Sequence, residues 1–328
     1  MQDTIVDVDT LKAAVHRACR APSLHNSQPW RWVADGAGLQ LFADRSRRLA
    51  ATDTSGREAL IACGAALDHL RVAMAAAGWT AHVLRFPNPN DLDHLASIDF
   101  SRIGFVTDGH RRRADAILRR RTDRLPLAEP TNWQTVETLL GSAFDADAAH
   151  LDVIRDDLRP RLAEASRLTE SLRLYDSSYH AELAWWTDSF GVSLFDGIPE
   201  DALVSATEGD RVDVGRSFPD AHPSDRRPGA RDHSKVLVLS TDSDSRDDVL
   251  RCGEVLSAVL LECTLAGLAT CTLTHVTEVP SSRELVGRLT GRAAMPQALI
   301  RVGVAPILGD VPPMTPRRPL HDVLQCSD

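Results

Sequence analysis

The chain has 328 residues, 43% of them hydrophobic, enough to fill the core of one large or two ordinary domains. Its formal net charge of −9 argues against a dedicated nucleic-acid binder, and only Lys12 and Lys235 among 37 basic residues are lysines, which leaves almost no candidates for Schiff-base chemistry. Six cysteines without a C-x-x-C pair, most of them inside apolar runs, read as reduced, buried thiols. The N-terminus shows no basic segment followed by an apolar stretch, and no run of about 20 apolar residues occurs, so the expectation is a cytoplasmic protein without a membrane span.

In chain order, Asp9–Cys19 reads as a helix capped by Asp9 or Thr10, with Leu11, Ala14, Val15 and Ala18 on one face. It stops at Ala21-Pro22, because the residue before proline is pushed out of the helical region. After a polar loop, Pro29–Val33 and Leu39–Phe42 form a strand pair around Asp35, Gly36 and Gly38. A long helix runs from a cap at Ser55 to Ala77 and ends at Gly78. Strands follow at Thr80–Arg85 and Ser97–Val106. Beyond the arginine-rich stretch Arg111–Arg121, helices are expected at Trp133–Leu140 and Arg159–Thr187. Asp188–Arg231 is rich in Gly, Pro, Asp and Ser, and a loop that long inside a compact protein is functional or disordered. Lys235–Ser240 is a strand, Arg246–Ala266 an apolar and therefore buried helix, and Ala269–His275 and Ala298–Val304 are strands before a proline-rich tail at Pro312–Pro319.

The two long apolar helices repeat. Without a gap, Arg57, Cys63, Gly64, Leu67, Ala77 and Gly78 fall on Arg246, Cys252, Gly253, Leu256, Ala266 and Gly267, more coincidences than residue frequencies supply. Gly64 and Gly253 weaken their helices by about 1 kcal/mol relative to Ala, so they point to close helix–helix approach across a pseudo-twofold axis, as in a fused dimer. The expected division is a lobe over 1–110 and a second lobe over 111–328, with an insertion at about 185–231.

Familiar phosphate, dinucleotide, zinc and nucleophile signatures (G-x-x-x-x-G-K, G-x-G-x-x-G, H-E-x-x-H, G-x-S-x-G) are absent from the sequence. What stands out is Arg20-Ala-Pro22-Ser23-Leu24-His25-Asn26-Ser-Gln-Pro-Trp30: short polar side chains and free backbone groups on a rigid turn, suited to a ring bearing several donors and acceptors. A turn of this composition is also ordinary loop chemistry. Arg120-Arg121-Thr122-Asp123-Arg124 offers forked guanidiniums and a hydroxyl that suit a phosphate dianion, although a solvated basic helix face or a nucleic-acid patch has the same composition.

The first stretch resembles the APSxxNxQPW motif of the nitroreductase superfamily, FMN-dependent enzymes that reduce nitroaromatics and quinones. The second is similar to that family's R-R-S-x-R phosphate-binding element. Pro316-Arg317-Arg318-Pro319-Leu320 resembles its C-terminal R-x-P-L element, and Ala266–His275 its helix-to-strand element ending near the flavin N5 edge. The whole chain looks like the Acg branch of the superfamily, dormancy-associated actinobacterial proteins. The resemblance implies an α+β fold of two fused homologous lobes with mixed and antiparallel sheets flanked by helices. It implies FMN held by Pro22, Ser23, Leu24, His25, Asn26, Arg120, Arg121, Thr122, Arg124, Thr272, Leu273, Thr274, Arg317 and Arg318, with the chemistry carried by the flavin and no metal.

In family dimers one subunit supplies the arginines of each site and the other the Pro-Ser-Asn loop. Here the loop occurs only in the first half and the arginine motif only at the start of the second, which implies one FMN per chain in a monomer or weak homodimer. The activity implied is NAD(P)H-dependent reduction of nitro or quinone acceptors by hydride transfer. The alternative is a catalytically silent protein that sequesters FMN beneath a lid over 185–231, where Trp185, Trp186, Phe190, Phe195 and Phe218 either cover the flavin or pack the insertion. Nucleic-acid binding through Arg111–Arg124 is a distant third reading, disfavoured by the net charge.

Overall fold

A computed structural model of the protein describes residues 5–36, 38–187, 195–218, 224–306 and 314–326. Helix α1 (Val8–Ala18) is capped not by Asp9 or Thr10 but two positions before Asp9: the extended residue is Asp7, whose carboxylate accepts from Thr10 N at 2.8 Å. Strands β1 (Trp30–Asp35) and β2 (Gly38–Ala43) follow, then helix α2 (Arg57–Ala76), strands β3 (Trp79–Arg85) and β4 (His94–Arg102), and helices α3 (Asp108–Arg119) and α4 (Trp133–Gly141). The chain continues through β5 (His150–Val153), α5 (Arg159–Arg173), α6 (Ser177–Thr187), the one-turn α7 (Ala206–Gly209), β6 (Lys235–Thr241) and α8 (Arg246–Leu265). It closes with β7 (Ala269–Leu273), the short α9 (His275–Glu278), α10 (Pro280–Thr290), β8 (Met295–Gly303), the one-turn α11 (Leu320–Val323) and β9 (Leu324–Cys326).

The class is α+β, as the sequence implies. One sheet has the order β3-β4-β2-β1-β9, antiparallel except for the parallel β1–β9 pair; the other, β5-β6-β8-β7, is antiparallel throughout. The C-terminal strand therefore returns to the sheet built by the first hundred residues, with Trp32 facing Leu324. One continuous core joins the two halves, running from Leu11 and Trp30 through Leu67 and Leu256 to Ile300 and Leu324.

At the centre of that core α2 packs against α8. A Cβ on Gly64 would run into the Leu250 carbonyl and stand 2.9 Å from the Gly253 Cα; one on Gly253 would run into the Ile61 carbonyl and stand 2.9 Å from the Gly64 Cα. The paired glycines seen in the repeat thus meet each other, letting two backbones touch where any side chain would hold them apart. Helix α2 is long and apolar enough to cross a membrane by composition, contrary to the sequence expectation, but 78% of its apolar window is buried inside this core. Cys19, Cys63, Cys252, Cys263 and Cys271 are buried free thiols, and Cys326 is exposed.

Several boundaries differ from the periodicity. Helix α3 lies where only an arginine run was legible; a Thr107–His110 capping box starts it, and Ala116 and Ile117 pack on Leu261 of α8. The helix expected over 159–187 is two, because the Asp176 carboxylate accepts from Tyr179 N at 3.0 Å and begins α6 afresh. At α2 the cap position belongs to Gly56, at φ 75°, while Ser55 Oγ accepts from Arg57 N and Asp53 Oδ2 from Ala59 N. Strand β7 stops at Leu273, where Thr274 turns into α9, and β4 begins at His94 and ends at Arg102. Strands β5 and β9 and helix α10 had no counterpart in the sequence reading.

Gly64→Ala and Gly253→Ala should each destabilise the protein by about 3 kcal/mol or more, since backbone rather than a flexible side chain must give way. Urea unfolding checks this against Gly141→Ala, whose added methyl meets open space.

Candidate functional site

Between α1 and β1 the chain makes a tight excursion that few sequences tolerate. His25, Asn26 and Gln28 all lie in the left-handed region, at φ 48°, 61° and 51°. Residues with a Cβ hold such angles only where their surroundings over-determine them, and they cluster at functional sites. Here Ser23 Oγ accepts from Gln28 N at 3.0 Å. The Gln28 amide donates to Phe195 O at 2.8 Å and accepts from Arg318 N at 2.9 Å. The Asn26 amide donates to Pro316 O at 3.2 Å. Phe195 and the Pro316–Arg318 segment together clamp the turn.

The clamped turn presents Pro22, Ser23, Leu24 and His25 to a cavity of about 580 Å³, within the range of small-molecule and cofactor sites. Thr122 and Arg124 face the same space, as do Thr272, Leu273 and Thr274 at the end of β7. The segment after α3 is fastened to β7 by a Thr122–Thr270 bridge and by Asp123 N donating to Thr270 O at 2.8 Å. Glu58, Ile61 and Ala62 from the first turns of α2 line it as well, as do side chains from 204–218. Phe218 packs edge-on against His25 at 6.0 Å and beneath the Arg124 guanidinium at 5.4 Å. Trp186 lies instead beside Arg47, Phe195 is part-exposed, and Phe190 lies outside the described residues.

The remaining sequence candidates do not line the cavity. Asn26 is spent on the clamp and keeps its buried Oδ1 without a partner. Arg318 is 3.6 Å from the Asp44 carboxylate. Arg120, Arg121 and Arg317 gather with Arg20, a residue of the loop motif to which the sequence reading gave no role.

In this cluster the charges meet carbonyls only. Arg20 donates to Thr315 O at 2.9 Å, Arg317 to Cys19 O at 3.0 Å, Arg121 to Leu118 O at 2.7 Å and Arg120 to Arg20 O at 3.5 Å. Among the described residues none of the four has a carboxylate within ion-pair distance, and the Nε atoms of Arg20, Arg120 and Arg121 are buried without hydrogen bonds. Burial, with repulsion from Arg20 and Arg121, lowers the Arg120 guanidinium to about 10; burial and the same neighbours push Arg317 well below its usual range. Four guanidiniums in one place without a carboxylate are costly, and such an arrangement suits an anion. Arg20 stands two residues before Pro22 and Arg121 one before Thr122, so the cluster leads directly into the cavity walls.

Two histidines complete the lining. His275 Nε2 lies 2.8 Å from Ser166 Oγ, while its Nδ1 and His25 Nε2 are buried without partners. Burial first, and Arg216 second, hold both imidazoles well below the usual histidine range, so they are neutral at physiological pH. Glu58, Ser166 and Arg216 left no sequence signal, because none belongs to a motif and they come from separate segments.

A protein of Mycobacterium tuberculosis (strain ATCC 25618 / H37Rv) named "Putative NAD(P)H nitroreductase acg" is 64% identical over 324 residues, covering 98% of this chain and 97% of that one. The chain belongs to the nitroreductase superfamily. A second relative in the same strain, "Putative NAD(P)H nitroreductase Rv3131", is 36% identical over 97% of this chain and 92% of its own length. "Uncharacterized protein Rv3127", also of that strain, is 58% identical over 96% and 92%. Among solved structures, a "putative nitroreductase from anabaena variabilis atcc 29413" superposes with a TM-score of 0.54 at 9% identity, covering 93% of this chain and 90% of that one; it supports the nitroreductase fold. No family model matches the chain.

For this nitroreductase-family chain the buried histidines set a pH dependence. Their folded pKa lies below the unfolded value of about 6.5, so the unfolded chain binds more protons as the pH drops. The stability they contribute is complete above that value and is lost as the pH falls below it, by at most about 1.4 kcal/mol per pH unit for each histidine. Urea midpoints at about pH 7.5 and pH 5.5 should show the loss, and His275→Gln should flatten the slope.

Proposed function

We propose that the chain binds one FMN, its phosphate on Arg20, Arg120, Arg121 and Arg317 and its ring system in the adjoining cavity, and acts as an NAD(P)H-dependent oxidoreductase of nitro- or quinone-type acceptors. The observation that carries the proposal is a guanidinium cluster without a carboxylate partner among the described residues, whose Arg20 and Arg121 stand in the chain beside Pro22 and Thr122 of a cavity lined by Pro22–His25, Thr122 and Thr272–Thr274. Bound there, FMN supplies the hydride transfer; the chain's own residues bind, orient and exclude water. The strained turn holds Pro22 and Ser23 rigidly against the ring, neutral His25 adds no competing charge, and Phe218 with residues 204–217 closes the outer side.

A single site fits the reading of two fused lobes, 1–110 and 111–328. In the repeat register, Thr272, Leu273 and Thr274 correspond to Val83, Leu84 and Arg85. Arg85 is bound by Glu254 at 2.7 Å, and the next residue, Phe86, lies beneath Arg246 at 5.4 Å. An ion pair and a stacked guanidinium thus stand where a second ligand would bind.

The insertion supports a second reading, FMN sequestration without turnover. It is held down by the Arg227–Asp123 pair at 2.7 Å and the Arg47–Asp196 pair at 2.6 Å, both largely shielded from water. Reduction kinetics separate the two: bleaching of the bound flavin by NADH or NADPH, followed by reoxidation with a quinone, supports the enzyme, whereas a retained flavin inert to both nucleotides supports storage.

Purified protein should carry or take up one FMN. Arg120→Gln should weaken FMN binding about 10- to 100-fold, as loss of one charge-assisted contact of about 1.5–3 kcal/mol requires. It should leave the unfolding midpoint of the FMN-free protein unchanged or raised, because mutual repulsion is relieved. Unchanged FMN affinity in Arg120→Gln refutes the phosphate assignment.

A further inference from the structure

Glu58 is buried in the wall of the cavity and faces a second one. It lines the 580 Å³ cavity, and it also borders a neighbouring space of about 910 Å³ on the far side of the α2 N-terminus, bounded by Asp53, Arg57, Glu278 and Arg283. Its side chain is 3% exposed, and its Oε1 has no hydrogen-bond partner among the described residues. Its other oxygen lies 2.9 Å from Thr274 Oγ1, and the same hydroxyl lies 3.3 Å from Glu278 Oε1.

One hydroxyl between two carboxyls has one proton to give. Glu278 already has cations: it is ion-paired with Arg216, and Arg173 lies 4.0 Å away. Glu58 has only a long ion pair of its own. Its nearest cation, Arg57, is 3.8 Å away, and that guanidinium is committed to the Thr277 and Gln297 carbonyls at 2.9 and 3.0 Å. The groups facing this point are Glu278 from α9, Asp53 from the loop before α2, Arg57 from α2 itself, Arg216 from the insertion, and Arg173 and Tyr179 around Arg216 and Glu278. Burial, then Glu278 and Asp53, raises the Glu58 carboxyl well above the ordinary range against the pull of Arg57 and Arg216.

We infer that Glu58 is the proton donor of the cavity, a neutral carboxylic acid that protonates the reduced acceptor through the Thr274 hydroxyl and is recharged from the second cavity. The inference rests on the oxidoreductase reading above. The balance closes for a quinone: hydride originating from NAD(P)H brings two electrons and one proton, giving a hydroquinone monoanion. The Glu58 O–H bond breaks, the Thr274 hydroxyl passes a proton on, and an O–H bond forms on the acceptor oxygen. Glu58 is left as carboxylate, with Arg57 beside it, and regains a proton from bulk solvent by way of the second cavity, so each turnover takes up one solvent proton. Nitro acceptors, which need protons at each two-electron step, draw on the same donor.

Infrared difference spectroscopy on the whole protein, with and without FMN, reads the proton directly. A carbonyl-stretch band of a neutral carboxylic acid should be present at neutral pH, vanish in Glu58→Gln and shift in Thr274→Val, a substitution that leaves the carboxyl in place. In FMN-loaded protein, reoxidation of the reduced form by a quinone should slow by about 100-fold in Glu58→Gln, with flavin content measured separately. Absence of the band from wild type, or an unchanged reoxidation rate in loaded Glu58→Gln, overturns the inference alone. Failure of wild-type protein to load FMN overturns the proposed function and the inference together.

Discussion

Backbone contact between α2 and α8 at Gly64 and Gly253 is the constraint from which the site geometry follows. A side chain at either position would separate the helices, and the separation would be felt at both their ends. The N-terminus of α2 carries Glu58, Ile61 and Ala62 to the bottom of the cavity. The C-terminus of α8 leads within a few residues into β7, which brings Thr272–Thr274 to the same space. A close crossing in the core thus fixes two walls of a cavity that no single segment builds.

The other walls are set by strain and charge. Three left-handed residues in the loop after α1 persist because Phe195, Pro316 and Arg318 hydrogen-bond to the Asn26 and Gln28 side chains. Glu182 of α6 accepts from the Ala51 and Thr52 amides at 3.0 and 2.8 Å, tying α6, which leads into the insertion, to the segment that starts α2. Charge is distributed unevenly across the site. Cations collect without carboxylates among the described residues where Arg20, Arg120, Arg121 and Arg317 converge, and carboxyls crowd where Glu58 and Glu278 share Thr274. Both arrangements oppose folding in isolation, and both are of the kind that ligand binding or proton chemistry uses.

Local chemistry was legible where it is short-range. The Gly64/Gly253 register in two apolar repeats pointed to a close helix crossing, and Arg20–Trp30 pointed to a rigid turn. Less was legible at boundaries. Asp176 splits a helix that composition would run continuously from Arg159 to Thr187, and α3 was hidden because arginines at its exposed positions masked the apolar Ala114, Ala116 and Ile117. Asn26 illustrates the limit for site residues: its motif position was plain, but its amide serves Pro316, nearly three hundred residues away in the chain.

By itself the sequence determined the α+β class, the family, and the segments that carry short-range chemistry: a Pro-Ser turn, an arginine pair, a threonine-rich strand end. These depend on neighbouring residues, and neighbours are what a sequence records. Only the tertiary structure decided that Arg20 joins Arg120, Arg121 and Arg317, that Asn26 and Arg318 serve the clamp and an ion pair, and that Glu58 and Glu278 meet over one hydroxyl. Those outcomes depend on burial and on charges brought together from distant segments, and desolvation and Coulomb repulsion act only once the chain has folded.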